Sequence, residues 1–322
     1  MTLVLTNAII FGVIILYGCL GEILMEKAGH LNLGIPGIMS LGMAGGYWAT
    51  TLYVNSLAVP AEAKYFIVVL LAILGSSLFS ALGGLIYAFF TVTLRCNQNI
   101  TGLALTTLGA GFADFFISNK VNTENKAVIY DLISKYIPAA DKTGWFGSIF
   151  LSHGILVYLG IAIAFVFGYV LKRTRLGLNV RAVGESPATA DAAGINVTAY
   201  KYGSILIGCV IAGLGGFYYL MTYVTQGSFV NTATIESYGW LAIALVVFCL
   251  WRPGFGVVGS ILFGGLTVAV NLFPGLSTVQ AQFVTMLPYL VTVIVLIITS
   301  VFDSKNAQPP ASLGLNYFRE ER

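Results

Sequence analysis

Charged side chains are scarce in this chain of 322 residues. Only 9% of its residues are Asp, Glu, Lys or Arg, whereas 57% are hydrophobic. A soluble domain carries roughly 25% charged residues, so 16 basic and 13 acidic side chains are too few to cover a water-exposed fold of this length. The deficit excludes a soluble enzyme, a disordered chain and a protein that binds nucleic acid polymers. It predicts an all-α, polytopic membrane protein whose outer surface contacts lipid.

Two kinds of reactive site are also missing. The four cysteines form no CxxC pair, and we interpret them as small buried hydrophobic residues rather than metal ligands or disulfides: Cys19, Cys96, Cys209 and Cys249. We predict neither a metal site nor a catalytic residue. No GxxxxGKS or GxxxxGKT phosphate-binding string occurs in the sequence, so we expect no ATP site in this chain. The protein is therefore not interpreted as an enzyme.

Apolar runs recur along the sequence at the length that a membrane requires. A helix needs about 20 mostly apolar residues to cross the hydrocarbon core. The candidate spans are 2–22, 34–57, 65–92, 99–118, 148–171, 202–223, 237–252, 254–273 and 283–302. The seventh is short, and polar or helix-breaking residues interrupt the second and fourth. We therefore expect about nine transmembrane helices (8–10) within a transmembrane domain of residues 1–302.

The basic residues predict the orientation of these spans. If residues 172–201 face the cytoplasm, eleven of the 16 basic residues, including every arginine, lie on that side. Short loops rich in Lys and Arg stay on the cytoplasmic side of a membrane. We expect a multi-pass protein of the cytoplasmic (inner) membrane with its N-terminus outside and its C-terminus in the cytoplasm.

Two polar segments and a tail lie outside the predicted spans. The outer segment, residues 119–147, carries apolar residues at helical spacing, which predicts an amphipathic helix on the outer membrane surface: Val128, Ile129, Leu132, Ile133, Tyr136 and Ile137. The inner segment, residues 172–201, holds five of the basic residues. Residues 303–322 are polar, and we expect a flexible, solvated cytoplasmic tail with no assigned function.

The inner segment contains a short helix with its own start and stop signals. Ser186 is a suitable N-cap, Pro187 suits the first helical position, and Gly194 suits a left-handed C-terminal cap. The predicted helix is about two turns long and too polar to cross a membrane. A helix that only joins two spans does not need caps at both ends, whereas a rigid helix that transmits force does.

Small residues recur four positions apart within the spans. The pairs are Gly42 with Gly46, Ala212 with Gly216, and Ser260 with Gly264. In lipid, helices associate largely through close backbone packing, which such spacing permits. We interpret these residues as packing contacts rather than as functional groups.

Four blocks of sequence resemble the permeases of binding-protein-dependent ABC importers, in the branch that carries branched-chain amino acids, simple sugars and nucleosides. RAVGESPATADAAGINV resembles the cytoplasmic coupling-helix segment of that family. The other blocks are GEILMEKAGHLNLGIPGIMSLGMAGG, NQNITGLALTTLGAGF and GWLAIALVVFCLWRPGFGVVGSILFGG. The four blocks lie within residues 21–265 and occur in the same order as in that family. The forms AGHLNLGIPGIM and NQNITGLALTTL are most similar to the nucleoside subgroup.

The resemblance implies a type II ABC importer permease fold and a set of partners. These are cytoplasmic ABC ATPase subunits that bind ATP and Mg, a second permease subunit in a heterodimer, and an extracytoplasmic binding protein or lipoprotein. The coupling residues that would contact the ATPase are Glu185, Ser186, Pro187, Ala188, Thr189, Ala190, Asp191, Ala192, Ala193 and Gly194. This chain itself would bind no cofactor.

Neutral polar residues in or beside the spans are the candidates for the substrate pathway. They are Asn32, Asn97, Gln98, Asn99, Thr101, Thr106 and Thr107, and a helix break is expected at Gly34, Pro36 and Gly37. Any one of these side chains is equally well explained as a hydrogen bond between helices. An uncharged lining suits an uncharged polar solute such as a nucleoside.

The remaining polar and aromatic candidates are given structural interpretations. Glu22, Asp114 and Glu236 lie near span ends, where we expect them to reach water or to pair locally. The four tryptophans are interpreted as anchors at the membrane interfaces: Trp48, Trp145, Trp240 and Trp251.

The favoured hypothesis is an ABC permease subunit that forms the import pathway for a nucleoside delivered by a binding protein. Within the same class, the alternatives are a simple sugar, a branched-chain amino acid or a flavin. The alternative from another class is an ion-coupled secondary transporter. That alternative predicts carboxylates inside the membrane for ion coupling, and these are scarce in the spans.

Overall fold

The computed structural model describes residues 2–118, 123–134, 144–224, 232–273, 275, 277–301 and 308–318. The regular structure in these residues is helical, and they contain no β-strand. The α-helices are α1 Thr2–Lys27, α2 Ile35–Asn55, α3 Tyr65–Ala88, α4 Gln98–Ser118, α5 Thr123–Ile133, α6 Gly144–Phe150, α7 Ile155–Arg173, α8 Arg175–Glu185, α9 Pro187–Ala192, α10 Val197–Val224, α11 Thr232–Phe248, α12 Pro253–Val268, α13 Thr278–Thr285 and α14 Leu287–Val301. A π-helical turn, Phe89–Thr93, extends α3.

Six helical segments in the described residues are long and apolar enough to cross a membrane. They are Thr2–Lys27, Tyr65–Thr93, Gln98–Ile117, Ile155–Arg173, Val197–Thr222 and Thr278–Ile298. Helices α2, α11 and α12 coincide with three further predicted spans, although they are not among these six. The all-helical, multi-pass class is therefore confirmed, and the count of about nine crossings stays a prediction.

Helices α1 and α10 form the centre of the molecule. In their most apolar stretches, 61% of the residues of α1 and 78% of those of α10 are buried, compared with 33% or less in the other long helices. Helix α1 packs against α10, α11 and α12, and α10 packs against α2 and α3. Three of the four cysteines are buried here, as expected from their sequence context: Cys19, Cys209 and Cys249.

The helices cross at glycines that the small-residue spacing singled out. A Cβ atom on Gly42 would lie 2.3 Å from Cα of Gly213, and a Cβ on Gly216 would lie 1.8 Å from the Met39 carbonyl oxygen. Helices α2 and α10 therefore meet backbone to backbone. Gly264 allows α12 an equally close approach to α1 at Ala8. The predicted packing role of these glycines agrees with the structure.

The outer amphipathic helix differs from the prediction in what its apolar face touches. Helix α5 is present, but Ile129 is completely buried and Ile133 is 3% exposed, and α5 contacts α3 and α10. The bundle itself covers these side chains, so they do not rest on the membrane surface as expected. Tyr136 and Ile137 lie outside the described residues.

The expectation of a free C-terminal tail is wrong for residues 308–318. This segment contains no helix, yet Ser312 is only 6% exposed and its backbone N–H donates to the carbonyl of Gly184 at 3.0 Å. The tail is rich in polar residues, but it satisfies its backbone groups on the protein surface rather than in water.

Candidate functional site

Helix α9 begins and ends at the residues that the sequence pattern marked. Ser186 has an extended backbone, and its Oγ accepts a hydrogen bond from Thr189 N at 3.4 Å. Pro187 takes the first helical position. Gly194 has φ +82°, and its N–H donates to Asp191 O at 3.0 Å. The capped two-turn helix is therefore present.

One face of α9 is held by the protein and the other is open. Ala190 is 3% exposed and packs in a small cluster with Val183 and Val197, which Tyr317 joins from the C-terminal segment. Six of the ten predicted coupling residues are exposed: Glu185, Ala188, Thr189, Ala192, Ala193 and Gly194. Ser186, Pro187 and Asp191 are half-buried. Helix α9 is thus a small projection with a fixed base.

The junction between α8 and α9 sits directly on the end of α1. A Cβ atom on Gly184 would lie 2.2 Å from the Lys27 carbonyl oxygen and 3.3 Å from Gly29 N. Only a glycine permits this approach of two backbones. The base of α9 is therefore in contact with a helix at the centre of the bundle.

Residues 308–318, which we call the C-terminal strap, bind the same junction. The N–H of Ser312 donates to Gly184 O at 3.0 Å, and its Oγ donates to the same oxygen at 2.5 Å. Ala311 N donates to Glu185 Oε2 at 3.2 Å. The hydroxyl of Tyr317 donates to Asp191 Oδ2 at 2.8 Å, on α9 itself.

The strap also contacts the loops before α2 and α4. Gly314 N donates to Gly29 O at 3.2 Å. The Asn316 amide donates to Arg95 O at 2.6 Å, and the Arg95 guanidinium lies 4.8 Å from the centre of the Phe318 ring. Three segments that are distant in sequence are therefore joined by the strap.

The predicted pathway residue Asn32 is a structural residue of the α1–α2 loop. Its backbone N–H donates to Glu22 Oε1 at 2.8 Å, and its Oδ1 accepts from Gly34 N at 2.9 Å. Gly34 is the N-cap of α2, and Pro36 is in its first turn. The expected helix break is thus the start of α2. Gly37 allows close contact with α4, since its Cβ would lie 2.2 Å from Leu105 O.

The polar residues of α4 do not form one lining. Gln98 and Thr106 point into the protein, where Gln98 Oε1 accepts from Leu31 N at 2.9 Å and Thr106 Oγ1 donates to Leu33 O at 3.0 Å. Thr101 is half-buried and donates to Asn97 O. Asn99 and Thr107 are on the exposed side of the helix, and Asn97, which directly precedes the helix, is also exposed.

Two glutamates of α1 are buried more deeply than their positions near a span end predict. Glu22 is completely buried and pairs locally with Asn32 N, as one of the two expectations for it allowed. Glu26 is 2% exposed, and its Oε2 accepts a hydrogen bond from the Trp251 indole. Trp251 is 6% exposed, so it holds α1 to the α11–α12 corner rather than anchoring the chain at an interface. The two residues of this pair are too far apart in the sequence for any local pattern to signal the contact.

His30 lies in the same loop between α1 and α2. Its ring is 1% exposed, and neither ring nitrogen has a hydrogen-bond partner within the described part of the chain. Burial lowers the pKa of His30 well below its usual value, and the charge of Lys201 lowers it further. The imidazole is therefore neutral at physiological pH.

A second polar site lies at the opposite end of the bundle from α9. A cavity of about 400 Å³ is lined by α1, α5, α10 and the start of α7. Its wall combines aromatic rings with hydrogen-bonding groups, and these residues lie in four separate elements: Asn7, Phe11, Tyr130, His153 and Tyr218. No local sequence motif unites them, which is why sequence patterns do not reveal the cavity.

Known proteins resemble this chain along its whole length. The nucleoside ABC transporter permease NupC of Lactococcus lactis is 28% identical, over 99% of this chain and 98% of that protein. The guanosine ABC transporter permease NupQ of Bacillus subtilis is also 28% identical, over 100% and 98%. The putative glucose ABC transporter permease TsgC13 of Haloferax volcanii is 31% identical, over 95% and 94%.

The family model that matches the chain is described as the branched-chain amino acid transport system permease component, and it covers residues 4–299. That range includes the central helices α1 and α10, the α8–α9 projection and the apolar helices up to α14. The chain belongs to this family of ABC transporter permeases.

Proposed function

We propose that this permease forms the pathway by which an ATP-driven importer moves a nucleoside into the cell. The observation that carries the proposal is the end-to-end similarity to permeases named for nucleoside and guanosine transport. Asn99 and Thr107, two exposed polar side chains of α4, are uncharged, which suits an uncharged solute that needs no counter-ion.

Helix α9 serves as the coupling helix in this proposal. Its exposed face, with Ala188, Thr189 and Ala192, would enter a cleft of a cytoplasmic ABC ATPase. Its base rests on the end of α1 at Gly184, so a displacement of α9 would act on the centre of the bundle. ATP and Mg would be bound by the ATPase, and this chain would carry out no reaction.

The proposal also includes the fold of the permease, its orientation in the membrane and its partners. The permease would adopt the type II importer fold in the inner membrane, with its N-terminus outside and its C-terminus cytoplasmic. It would pair with a second, different permease and receive its substrate from an extracytoplasmic binding protein. Asn99 and Thr107 of α4 and the preceding Asn97 are exposed, which suits a pathway that is completed by the second permease.

A sugar is the second candidate substrate. It is favoured by the similarity to the permease named as a putative glucose transporter, which has the higher identity over slightly less of the chain. The distinction is best tested on the complete importer, reconstituted with its ATPase and binding protein in liposomes. We expect uptake of radiolabelled guanosine or uridine. Uptake of glucose with no nucleoside uptake would contradict the nucleoside assignment.

The coupling role of α9 has a matched test. Ala192 and Ala199 are both exposed, but only Ala192 is in α9. We expect Ala192→Arg to reduce co-purification of the ATPase and nucleoside uptake at least tenfold, because the large charged side chain would not fit a cleft built for a small one. Ala199→Arg should leave both near the wild-type level. Equal behaviour of the two variants would show that α9 does not contact the ATPase.

A further inference from the structure

The C-terminal strap bonds to segments that are far apart in the sequence, at the end of the bundle that carries α9. It is bonded to Gly184 and Asp191 in the α8–α9 region, to Gly29 in the α1–α2 loop and to Arg95 in the α3–α4 loop. In addition, the Gln98 amide of α4 donates to Leu315 O at 3.4 Å. One eleven-residue segment thus touches the α8–α9 region, the α1–α2 and α3–α4 loops and the start of α4.

The chemistry of these contacts fits a mechanical link. Most of them end on backbone carbonyls, which move only when the loop or helix that carries them moves. Side chains of the bundle take part in three contacts: the Gln98 amide, the Glu185 carboxylate of α8, and the Asp191 carboxylate of α9. The last contact is made by the hydroxyl of Tyr317, whose ring also packs in the cluster with Ala190. Hydrogen bonds to charged groups are stronger than those between neutral groups, so Tyr317 is the firmest attachment of the strap to α9.

Without the strap, α9 would be joined to the bundle by its chain connections to α8 and α10, by the Gly184 contact and by the buried face of Ala190. A short projection with so small a base can tilt instead of transmitting force. We infer that the C-terminal strap fixes α9 to the inner ends of α1 and α4, so that a displacement of α9 moves these helices together. This inference rests on the proposed coupling role of α9, and it makes Tyr317 and Ser312 positioning residues for energy coupling.

The test measures nucleoside molecules transported per ATP hydrolysed in the reconstituted importer. In Tyr317→Phe, only the hydroxyl that bonds Asp191 is lost. We expect a two- to fivefold fall in this ratio, with ATPase co-purification unchanged. Tyr200→Phe is the matched control, because it removes a similar hydroxyl contact, with Asn179 at 2.7 Å, outside the strap. It should leave the ratio at the wild-type value.

Two further variants make the result decisive. A chain that ends after residue 307 should assemble with the ATPase and hydrolyse ATP, yet show a larger fall in the ratio than Tyr317→Phe. Asp191→Asn combined with Tyr317→Phe should lower the ratio no more than the more severe single variant, because both changes act on one hydrogen bond. A role in folding alone would reduce uptake and ATP hydrolysis equally and leave their ratio unchanged.

An unchanged ratio in Tyr317→Phe would overturn the strap inference, whether or not the shortened chain assembles. The proposed coupling role of α9 fails by a different result, namely normal ATPase co-purification and uptake in Ala192→Arg. The two failures are therefore distinguishable.

The cavity at the opposite end of the bundle carries a second, independent inference. Its volume of about 400 Å³ is in the range of small-molecule sites, about 300–1,000 Å³. The rings of Phe11, Tyr130 and Tyr218 face a space that the Asn7 amide also lines. His153 lies 2.8 Å from Ile149 O through Nε2, and burial lowers the pKa of His153, so the ring is neutral and Nδ1 remains an acceptor.

A nucleoside matches both parts of this wall. Aromatic rings stack on the face of a base, and the amide and imidazole can bond its edge or the ribose hydroxyls. On the basis of the proposed nucleoside transport, we propose that the cavity between α1, α5, α7 and α10 is a binding site for a nucleoside at the end of the bundle where substrate enters.

The site is tested by chemical protection in the complete importer. Asn7→Cys places a thiol in the cavity wall, and Asn55→Cys places one at the same end of the bundle but outside the cavity. Both are made in a Cys96→Ser background, because Cys96 is the native thiol that is not buried. Millimolar guanosine or uridine should slow maleimide labelling of the Asn7→Cys variant at least threefold, and should leave Asn55→Cys unaffected.

Equal protection by glucose would show that the cavity does not select nucleosides. No protection by either nucleoside, in vesicles that still import nucleosides, would overturn the site and leave the proposed function standing. Failure of all nucleoside import would instead overturn the proposed function.

Discussion

The contact between α2 and α10 predicts a sharp difference between two alanine substitutions in the same helix. A Cβ atom added at Gly216 would lie 1.8 Å from the Met39 carbonyl oxygen, whereas ordinary contact begins at 3.4 Å. The obstacle is backbone, which cannot rotate away as a side chain can. Gly216→Ala therefore requires α2 and α10 to separate by about 1.5 Å. At Gly203, also in α10, no atom lies within 4 Å of the added Cβ.

The expected energies have opposite signs. Overpacking of this kind costs about 1–3 kcal/mol, and at Gly216 further cost comes from lost contact along the α2–α10 crossing. Alanine is better than glycine inside a helix by up to about 1 kcal/mol, which is the only effect expected at Gly203. The preference for alanine applies at both positions and cancels in their difference. We therefore predict that the free energy of unfolding of Gly216→Ala is lower than that of Gly203→Ala by at least about 1–3 kcal/mol.

The measurement is thermal unfolding of the two purified variants and the wild type in the same detergent. For chains of 150–250 residues, 1 kcal/mol shifts Tm by roughly 2–4 °C, and the shift is smaller in a longer chain, so the two variants should still differ by several degrees. A Gly216→Ala variant as stable as Gly203→Ala would refute the close crossing of α2 and α10. Gly216→Ser provides a second test, since its Cβ meets the same oxygen.

Three further predictions concern the end of the bundle that carries α9. Trp251→Phe removes the indole N–H that donates to the buried Glu26 carboxyl, so the free energy of unfolding should fall by about 1–3 kcal/mol; an unchanged Tm would contradict this bond. Gly194→Ala places a side chain at φ +82°, at a cost of about 1–2 kcal/mol, and amide exchange in α9 should be faster than in Gly194→Asn. His30 is neutral in the folded protein, and its pKa is lowered there by burial, so the unfolded state binds its proton first and stability should fall as the pH drops below about 6.5. His30→Asn should lose less stability between pH 7 and pH 5, as measured by Tm at each pH, and a decline as steep as that of the wild type would count against a neutral His30.

Local chemistry explains why α9 could be predicted from the sequence. Its start depends on Ser186 and Pro187, and its end depends on Gly194, all within nine positions. Each of these residues acts through its own backbone or through a neighbour three positions away. Signals of this kind can be recognised in the sequence without knowledge of the tertiary structure.

The contacts of the buried glutamates could not be predicted in the same way. Glu26 and Trp251 are joined only because α1 packs against α11 and α12. Charge near the end of an apolar run is compatible with either water or a buried partner, and the sequence does not distinguish the two. The polar set on α4 is an intermediate case, since helical periodicity alone already places Gln98 and Asn99 about 100° apart around the axis.

The C-terminal strap shows a more general reason why sequence patterns did not predict the contacts at the end of the bundle that carries α9. Gly184, Gly29 and Arg95 all take part through their carbonyl oxygens, which every residue possesses. Polar composition therefore indicated a solvated tail, although the apolar ring of Tyr317 was available to pack on α9. The same property makes the strap insensitive to most side-chain changes at its partners. Removal of the strap or of the Tyr317 hydroxyl should therefore alter coupling more than substitution of Arg95, whose carbonyl oxygen accepts the Asn316 amide whatever side chain it carries.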